Sequence, residues 1–254
     1  MSISEALVKL PLLFVDTHLS QKACTPPNPP ADPEEQQKCI KKLQIEGRGT
    51  RKEEFLTKHY RKIIYGLCGI YHAPTVCEIY LILAKAFPSI QIPSIIKFLT
   101  PFSSLSTVVD HFGITKTFIA GSAMIATGSL IRIACYRAMG RHFTFDLSLR
   151  NGHRLVTDGP YSIVRHPSYL GTVIYTLGHL AIQLGHGSWW LESGIAYTPE
   201  GQALAAIRAA AGLGVAGVLL SRVPREDRIL RDEFKEEWET WARKTPYKVV
   251  PWIY

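Results

Sequence analysis

Long apolar stretches separated by densely charged connectors are the feature that most constrains the fold of this chain of 254 residues. The main apolar stretches are residues 63–87, 114–136, 167–186 and 203–220. A helix needs about 20 apolar residues to cross a bilayer. The mean hydropathy of +0.05 is nearly neutral only because it averages these stretches with the connectors. Such segregation is typical of a membrane protein.

The amino-terminal region is harder to assign to the membrane. Residues 3–19 are apolar, but Glu5, Lys9 and Asp16 would lie at a costly depth if this segment crossed the bilayer. We therefore expect an interfacial helix or a weak span. Residues 20–62 are proline-rich and then charged, which predicts a partly disordered cytosolic connector. The predicted organisation is an amino-terminal part, residues 1–62, and a membrane domain, residues 63–254, with its catalytic region at about 137–254.

The remaining segments predict a topology. Residues 88–112 contain three prolines and read as a lumenal loop or a shallow helix. Residues 167–186 and 203–220 suggest a helical hairpin, with Trp189 and Trp190 in an interfacial belt and Arg208 snorkelling near its turn. Residues 20–62, 137–166 and the carboxyl-terminal region then share one face, which their basic residues make cytosolic.

The end of the chain predicts an amphipathic helix. Pro224 should break the last membrane helix and start a new one. Leu230, Phe234, Trp238 and Trp241 follow at spacings of four, four and three residues, which places them on one apolar face. The helix should lie on the membrane surface or fold back over the bundle. The predicted fold is an all-α integral membrane bundle of four or five transmembrane helices with a cytosolic carboxyl-terminal amphipathic helix.

Charge and cysteine content argue against several classes of function. A net charge of +8 suits nucleic acid, an anionic surface or basic membrane connectors. We favour the connectors, because the sequence has no zinc finger spacing or RNA-binding signature. The five cysteines form no C-x-x-C pair, so neither a disulfide framework nor a metal site is predicted. Glu78, inside a predicted span, is either a substrate-binding residue or a paired group facing the bundle interior.

Two polar motifs flank the predicted hairpin. Residues 153–161 and 165–171 read H-R-L-V-T-D-G-P-Y and R-H-P-S-Y-L-G, and Pro167 suits the first turn of a helix, whose free N–H groups favour an anion. The second motif, residues 222–227, reads R-V-P-R-E-D. Each has an ordinary explanation, in which Arg165 and Arg222 are membrane anchors and the acids complement a helix dipole.

Together the motifs resemble the isoprenylcysteine carboxyl methyltransferase family. The resemblance rests on H-x-L-V-x-x-G-x-Y, R-H-P-x-Y-x-G and R-x-x-x-E occurring in this order, and it covers about residues 110–254. Two positions depart from the family pattern. Asp227 stands where a glutamate is usual, and residues 235–238 replace a glycine-aromatic pattern.

The resemblance implies a cofactor, a substrate and a set of site residues. The cofactor is S-adenosylmethionine, and the substrates are the carboxyl termini of prenylated proteins at the bilayer of the endoplasmic reticulum, reached by a multi-pass enzyme from the cytosol. Glu226 contacts the cofactor and Arg222 holds the substrate carboxylate, so these two are the expected catalytic residues. Arg154 contributes by its backbone if at all. The other residues expected to bind the cofactor are His153, Leu155, Val156, Tyr161, His166, Pro167, Ser168 and Tyr169.

This chemistry requires no catalytic base. An α-carboxyl group has a pKa of about 3.3 to 3.7 and is therefore already ionised at neutral pH. The alternatives are an NADPH-dependent membrane reductase of the sterol reductase type, which resembles the chain in its terminal amphipathic region, and a methyltransferase acting on a lipid or small molecule. In a third, non-enzymatic interpretation the chain is a membrane scaffold.

Overall fold

The computed structural model describes residues 3–29, 51–145 and 152–253, and within these ranges it is helical with no strand. The helices of these ranges are α1 (Ile3–Cys24), α2 (Arg51–Ala86), α3 (Pro93–Leu99), α4 (Leu105–Asp110), α5 (Lys116–Met139), α6 (Pro167–Leu184), α7 (Trp189–Glu192), α8 (Pro199–Phe234) and α9 (Glu236–Lys244). Short 3-10 turns lie at Pro88–Ile90, Gly140–His142, Gly159–Ser162 and Ile195–Tyr197. The prediction of an all-helical protein is confirmed for this part of the chain.

Three helical segments of the described chain are long and apolar enough to cross a membrane: Arg61–Ala86, Lys116–His142 and Pro199–Phe234. They contain three of the four predicted spans. The fourth, residues 167–186, forms α6, which is not among the three because its polar residues, such as His179 and Gln183, lower its mean hydropathy. A total of four or five spans therefore stays a prediction.

Both ends of the predicted connector at residues 20–62 are helical. α1 continues to Cys24 and α2 begins at Arg51. Residues 51–62 are rich in Lys, Arg, Glu and Leu, which have high helix propensity, and charge alone does not stop a helix. Residues 30–50, the centre of the predicted connector, lie outside the described residues.

The predicted helix break at Pro224 is wrong. α8 runs without interruption from Pro199 to Phe234 with Pro224 inside it. A proline inside a helix removes one hydrogen bond and costs about 3 kcal/mol. Here the ion pair between Arg222 Nη2 and Glu226 Oε1, 2.8 Å apart, spans the proline and stabilises that turn. The helix ends only at Phe234, where Lys235 adopts a φ of +47° and α9 follows.

The chain divides into two compact units, each built from three separate stretches. Unit 1 contains residues 1–22, 67–129 and 172–216, and unit 2 contains residues 23–66, 130–171 and 217–254. The stretches of the two units alternate along the sequence. The predicted functional boundary between residues 62 and 63 stays a prediction.

In unit 1 small residues allow α5 and α6 to pack closely. A Cβ atom at Gly121 would lie 2.7 Å from Ile182 Cγ1 and 2.9 Å from the carbonyl oxygen of Gly178. Only glycine permits such an approach, a common device in membrane helix packing. Trp189 and Trp190 lie in the apolar core of this unit, so their expected place in an interfacial belt is wrong.

Arg208 is also buried, contrary to the expectation that it snorkels. Its side chain is 4% exposed, and its guanidinium lies 5.5 Å from the ring centroid of Trp190. The aromatic face of Trp190 replaces water as the partner of this cation. The tryptophans are therefore turned inwards, where they cover a charged group.

Glu78 is a paired group in the interior of unit 1. Its Oε1 lies 2.5 Å from Lys9 Nζ, and its Oε2 accepts a hydrogen bond of 3.0 Å from the backbone N–H of Trp189. Lys9 also donates to the carbonyl oxygen of Gly187 over 2.9 Å. Of the two roles considered for Glu78, the geometry favours the paired interior group.

We expect Glu78→Gln to destabilise the protein, because it leaves the Lys9 ammonium buried without its counter-charge. Breaking a buried pair in this way costs about 3–5 kcal/mol. The double variant Lys9→Met/Glu78→Leu removes both charges and should recover most of this loss. Both can be measured by denaturation in detergent micelles. Equal stability of the single variant and the wild type would contradict a stabilising ion pair.

Candidate functional site

A cleft of about 890 Å³, including its open mouth, lies entirely within unit 2. The wall is built from the end of α5, the segment before α6, the first turn of α6, and the faces of α8 and α9. The residues that line it are Met139, His142, Phe143, Thr144, His153, Leu155, Val156, Tyr161, Arg165, His166, Ser168, Tyr169, Glu226, Ile229, Leu230 and Trp241.

Most of the residues predicted from the motifs meet at this cleft. Those that line it are His153, Leu155, Val156, Tyr161, His166, Ser168, Tyr169 and Glu226. Three others do not. Arg154 is exposed, and Pro167 is buried at the start of α6. Arg222 does not line the cleft but donates a hydrogen bond to Glu226, which does.

Glu226 is the acid that faces the cleft, and one of its oxygens carries most of its contacts. Oε1 accepts hydrogen bonds from the Tyr169 hydroxyl over 2.5 Å and from Arg222 Nη2 and Nε over 2.8 and 3.2 Å. Its other oxygen, Oε2, lies 3.4 Å from His166 Nδ1. Arg222 also donates from Nη1 to the carbonyl oxygen of Phe145 over 2.8 Å. The carboxylate is thus held in position by groups from α6 and α8.

Asp227, the next residue of α8, joins this helix to the segment before α6. Its Oδ1 lies 3.0 Å from His166 Nε2, and its Oδ2 lies 3.2 Å from Arg165 Nη2. All three side chains are buried. His166 therefore stands between two carboxylates, one at each ring nitrogen. Burial opposes the charged imidazole, but the hydrogen bonds to Asp227 and Glu226 prevail and raise the pKa of His166.

Aromatic rings form much of the remaining wall. The rings of His166 and Tyr169 are stacked, with centroids 5.4 Å apart and an angle of 16° between their planes. Trp241 donates from Nε1 to the carbonyl oxygen of Tyr161 over 3.0 Å. Burial raises the pKa of Tyr161 well above its ordinary value, so its hydroxyl stays protonated and donates to the sulfur of Met139.

His153 is a neutral polar group in the wall. Burial, together with the nearby His142, lowers the pKa of His153 to about 4. The two imidazole rings meet edge to face with centroids 4.9 Å apart. At neutral pH His153 therefore offers a hydrogen-bonding ring nitrogen without adding positive charge to the cleft.

The carboxyl-terminal segment pairs with the backbone at the R-H-P motif, which the sequence did not predict. The N–H of Arg165 donates to the carbonyl oxygen of Tyr247 over 3.0 Å, and that of His166 donates to Lys248 over 2.7 Å. Trp238 and Trp241, on the apolar face of α9, are buried in the cluster that surrounds the cleft. The apolar face of α9 therefore packs within unit 2, and the predicted position of this helix on the cytosolic side stays a prediction.

Sequence reasoning also missed several lining residues. These are Met139, His142, Phe143, Thr144, Arg165, Ile229, Leu230 and Trp241. Ile229 and Leu230 were detectable, because they lie one turn of helix after Glu226. Residues 142–144 had no comparable signal, since they follow the end of α5 in an irregular segment.

The chemistry of this wall suits a ligand with a positive centre and an apolar body. Glu226 supplies the negative charge, and stacked rings lie beside it. Arg222 is bound to the same carboxylate, and Arg165 is the arginine that lines the cleft.

A model of the isoprenylcysteine carboxyl methyltransferase family matches residues 121–191. The predicted family resemblance is confirmed. The matched range includes the motifs at residues 153–161 and 165–171, while Arg222 and Glu226 lie beyond it.

The curated relatives of the chain include methyltransferases of this family. This chain is 30% identical over 112 residues to protein-S-isoprenylcysteine O-methyltransferase B of Arabidopsis thaliana, and the alignment covers 43% of this chain and 55% of that protein. It is 31% identical over 111 residues to the A form, with the same coverage. The chain thus spans about half the length of these relatives. A delta(14)-sterol reductase of Saccharomyces cerevisiae is 26% identical over 112 residues, which cover 20% of that protein.

We expect Asp227→Asn to reduce the pH dependence of stability, because it lowers the pKa of His166. In the wild type this pKa is raised above the ordinary value of 6.5. Its stabilising contribution is therefore fully present below pH 6.5 and is lost as the pH rises through the folded-state pKa. Melting temperatures in detergent across that window should fall less in the variant. Asp227→Glu, which retains the charge, is the control. An unchanged slope in the asparagine variant would show that Asp227 does not set this pKa.

Proposed function

We propose that this chain transfers the methyl group of S-adenosylmethionine to the carboxyl-terminal carboxylate of prenylated cysteine in membrane-associated proteins. The observation that carries the proposal is Glu226. It lines an aromatic cleft formed by the family motifs and is paired with an arginine that suits a carboxylate. The family match and the names of the curated relatives support this reaction class.

The residues of the cleft fit a sulfonium cofactor. S-adenosylmethionine, when bound, supplies an electrophilic methyl group on a positively charged sulfur. Glu226 provides the compensating charge, and the stacked rings of His166 and Tyr169 offer polarizable faces. His153, Tyr161 and Ser168 provide polar groups, and Leu155, Val156 and Ile229 provide apolar wall. We assign Pro167 the role of starting α6 and Arg154 at most a backbone contact.

Arg222 is the residue that we propose holds the acceptor carboxylate. Its guanidinium is fixed by Glu226 and by the carbonyl oxygen of Phe145, so its orientation is set before the acceptor arrives. The acceptor carboxylate is ionised at neutral pH and needs no base. Catalysis then depends on holding that oxygen in line with the methyl group and removing its water, which are effects of positioning and electrostatics.

The comparisons favour a methyltransferase over the reductase alternative. The family model that matches residues 121–191 is that of a methyltransferase family. The sterol reductase of Saccharomyces cerevisiae is 26% identical over 20% of its length, whereas methyltransferase B of Arabidopsis thaliana is 30% identical over 55% of its length.

We assign the enzyme to the membrane of the endoplasmic reticulum, as a multi-pass protein with its active site facing the cytosol. This assignment rests on the apolar helices, the basic connectors and the family resemblance. A site at the membrane boundary allows a polar cofactor and a prenyl chain to meet.

We expect Glu226→Gln and Arg222→Ala to separate cofactor binding from acceptor binding. Loss of a charge-assisted contact costs about 1.5–3 kcal/mol, which is roughly a 10- to 150-fold loss of affinity. The glutamine variant should weaken binding of labelled S-adenosylmethionine, whereas the alanine variant should mainly raise the KM for the acceptor. Arg228→Ala, an exposed arginine on the same helix, is the matched control. Wild-type kinetics in both test variants would favour a purely structural role for the pair.

The substrate class is tested with three acceptors: N-acetyl-farnesylcysteine, its geranyl analogue and its carboxamide. We expect the farnesyl acid to be preferred, because each buried methylene contributes about 0.8 kcal/mol. The carboxamide should be inert, since it lacks an ionised oxygen. Methyl transfer is measured with labelled cofactor in detergent, and sterol reduction with NADPH is measured in parallel. Equal turnover of all three acceptors, or reduction of a sterol without methyl transfer, would contradict the proposal.

A further inference from the structure

The segment that follows α2 exposes an unusual number of large apolar side chains. Between residues 87 and 109 the sequence contains one charged residue, Lys97. Phe98 is 78% exposed, and the other exposed apolar residues of this segment are Phe87, Ile90, Ile92, Ile95 and Phe102. Contiguous exposed apolar surface of this kind marks an interaction site on a protein.

Several polar groups of the same segment are hydrogen-bonded within the protein. The N–H of Ile92 donates to the Tyr80 hydroxyl over 3.1 Å, and the Gln91 side chain donates to the carbonyl oxygen of Ala84 over 2.8 Å. The carbonyl oxygen of Leu99 accepts from Trp189 Nε1 over 2.9 Å. Pairing of polar groups inside the protein, beside exposed apolar side chains, favours contact with lipid.

The position of the segment in the chain indicates that its apolar side chains contact lipid. It begins directly after Ala86, where the membrane-spanning candidate Arg61–Ala86 ends. α3 has seven residues and is therefore about 10 Å long, too short to cross a hydrocarbon layer of about 30 Å. The segment thus continues a surface that faces lipid but cannot itself span the membrane.

We propose that residues 87–102 insert Phe98, Phe102 and the neighbouring isoleucines into the lipid leaflet at the end of α2. α3 then lies along the membrane surface as an interfacial helix, with its apolar side chains about 5–10 Å below the headgroups. Lys97 reaches the headgroup region by its flexible stem. Of the two sequence-based alternatives for residues 88–112, a lumenal loop in water and a shallow helix, this selects the shallow helix. The inference is independent of the proposed enzymatic activity.

The test replaces Phe98 with the photoreactive residue p-benzoylphenylalanine in the full chain, reconstituted in phosphatidylcholine nanodiscs. The substitution replaces one exposed aromatic side chain with another, so the fold should be retained. After irradiation, mass spectrometry of the intact protein should detect an adduct heavier by one phospholipid. The same replacement at Phe102 provides a second position and should give the same adduct.

Two further positions calibrate the yield. Leu130, exposed on α5 within a membrane-spanning candidate, is the positive control, and Glu237, exposed on α9, is the negative control. We expect the lipid adduct at Phe98 to be comparable with that at Leu130 and about ten-fold above that at Glu237. A cross-linked dimer instead of a lipid adduct would show that a second copy covers the surface. A yield at both Phe98 and Phe102 no higher than at Glu237 would show that the segment lies in water. Either result overturns the inference.

Discussion

The arrangement of unit 2 depends on two adjacent carboxylates of α8 that bind the segment before α6. Asp227 holds Arg165 and His166, and Glu226 holds Tyr169 and the other side of His166. Buried charges are costly unless they are paired and hydrogen-bonded. These pairs satisfy the charged groups of both segments, and they fix the imidazole by both of its nitrogens. The first turn of α6, and with it the wall of the cleft, is positioned as a result.

Backbone hydrogen bonds also hold the segment before α6 in position. The residues just before α6 donate their N–H groups to the carboxyl-terminal segment, and the tryptophans of α9 are buried in the apolar cluster of the same unit. Every element of the cleft therefore contacts another element of the same unit. A ligand with a cationic centre finds its counter-charge in place, so little reorganisation is needed when it binds.

Part of this structure could be predicted from the sequence, because it depends on local patterns. The long apolar stretches gave the long helices, and the motifs gave half of the residues that line the cleft. The continuity of α8 through Pro224 was missed because the proline was given more weight than Arg222 and Glu226, which lie four residues apart and pair across it. The inward positions of Arg208 and Trp190 depend on packing between distant segments. The pairing of Tyr247 and Lys248 with the R-H-P motif is a contact between backbone atoms, which no residue pattern records.

The continuity of α8 through Pro224 has a geometric consequence. Arg222 and Glu226 lie one turn apart on a single rigid rod, and a helix rises about 6 Å over four residues. The backbone positions of Arg222 and Glu226 are therefore held at a separation set by the helical rise, within reach of their ion pair of 2.8 Å. A hinge at the proline would have allowed this distance to vary with each swing of the terminal segment. Because α8 is unbroken, only rotation of the Arg222 and Glu226 side chains can change the distance between their charged groups.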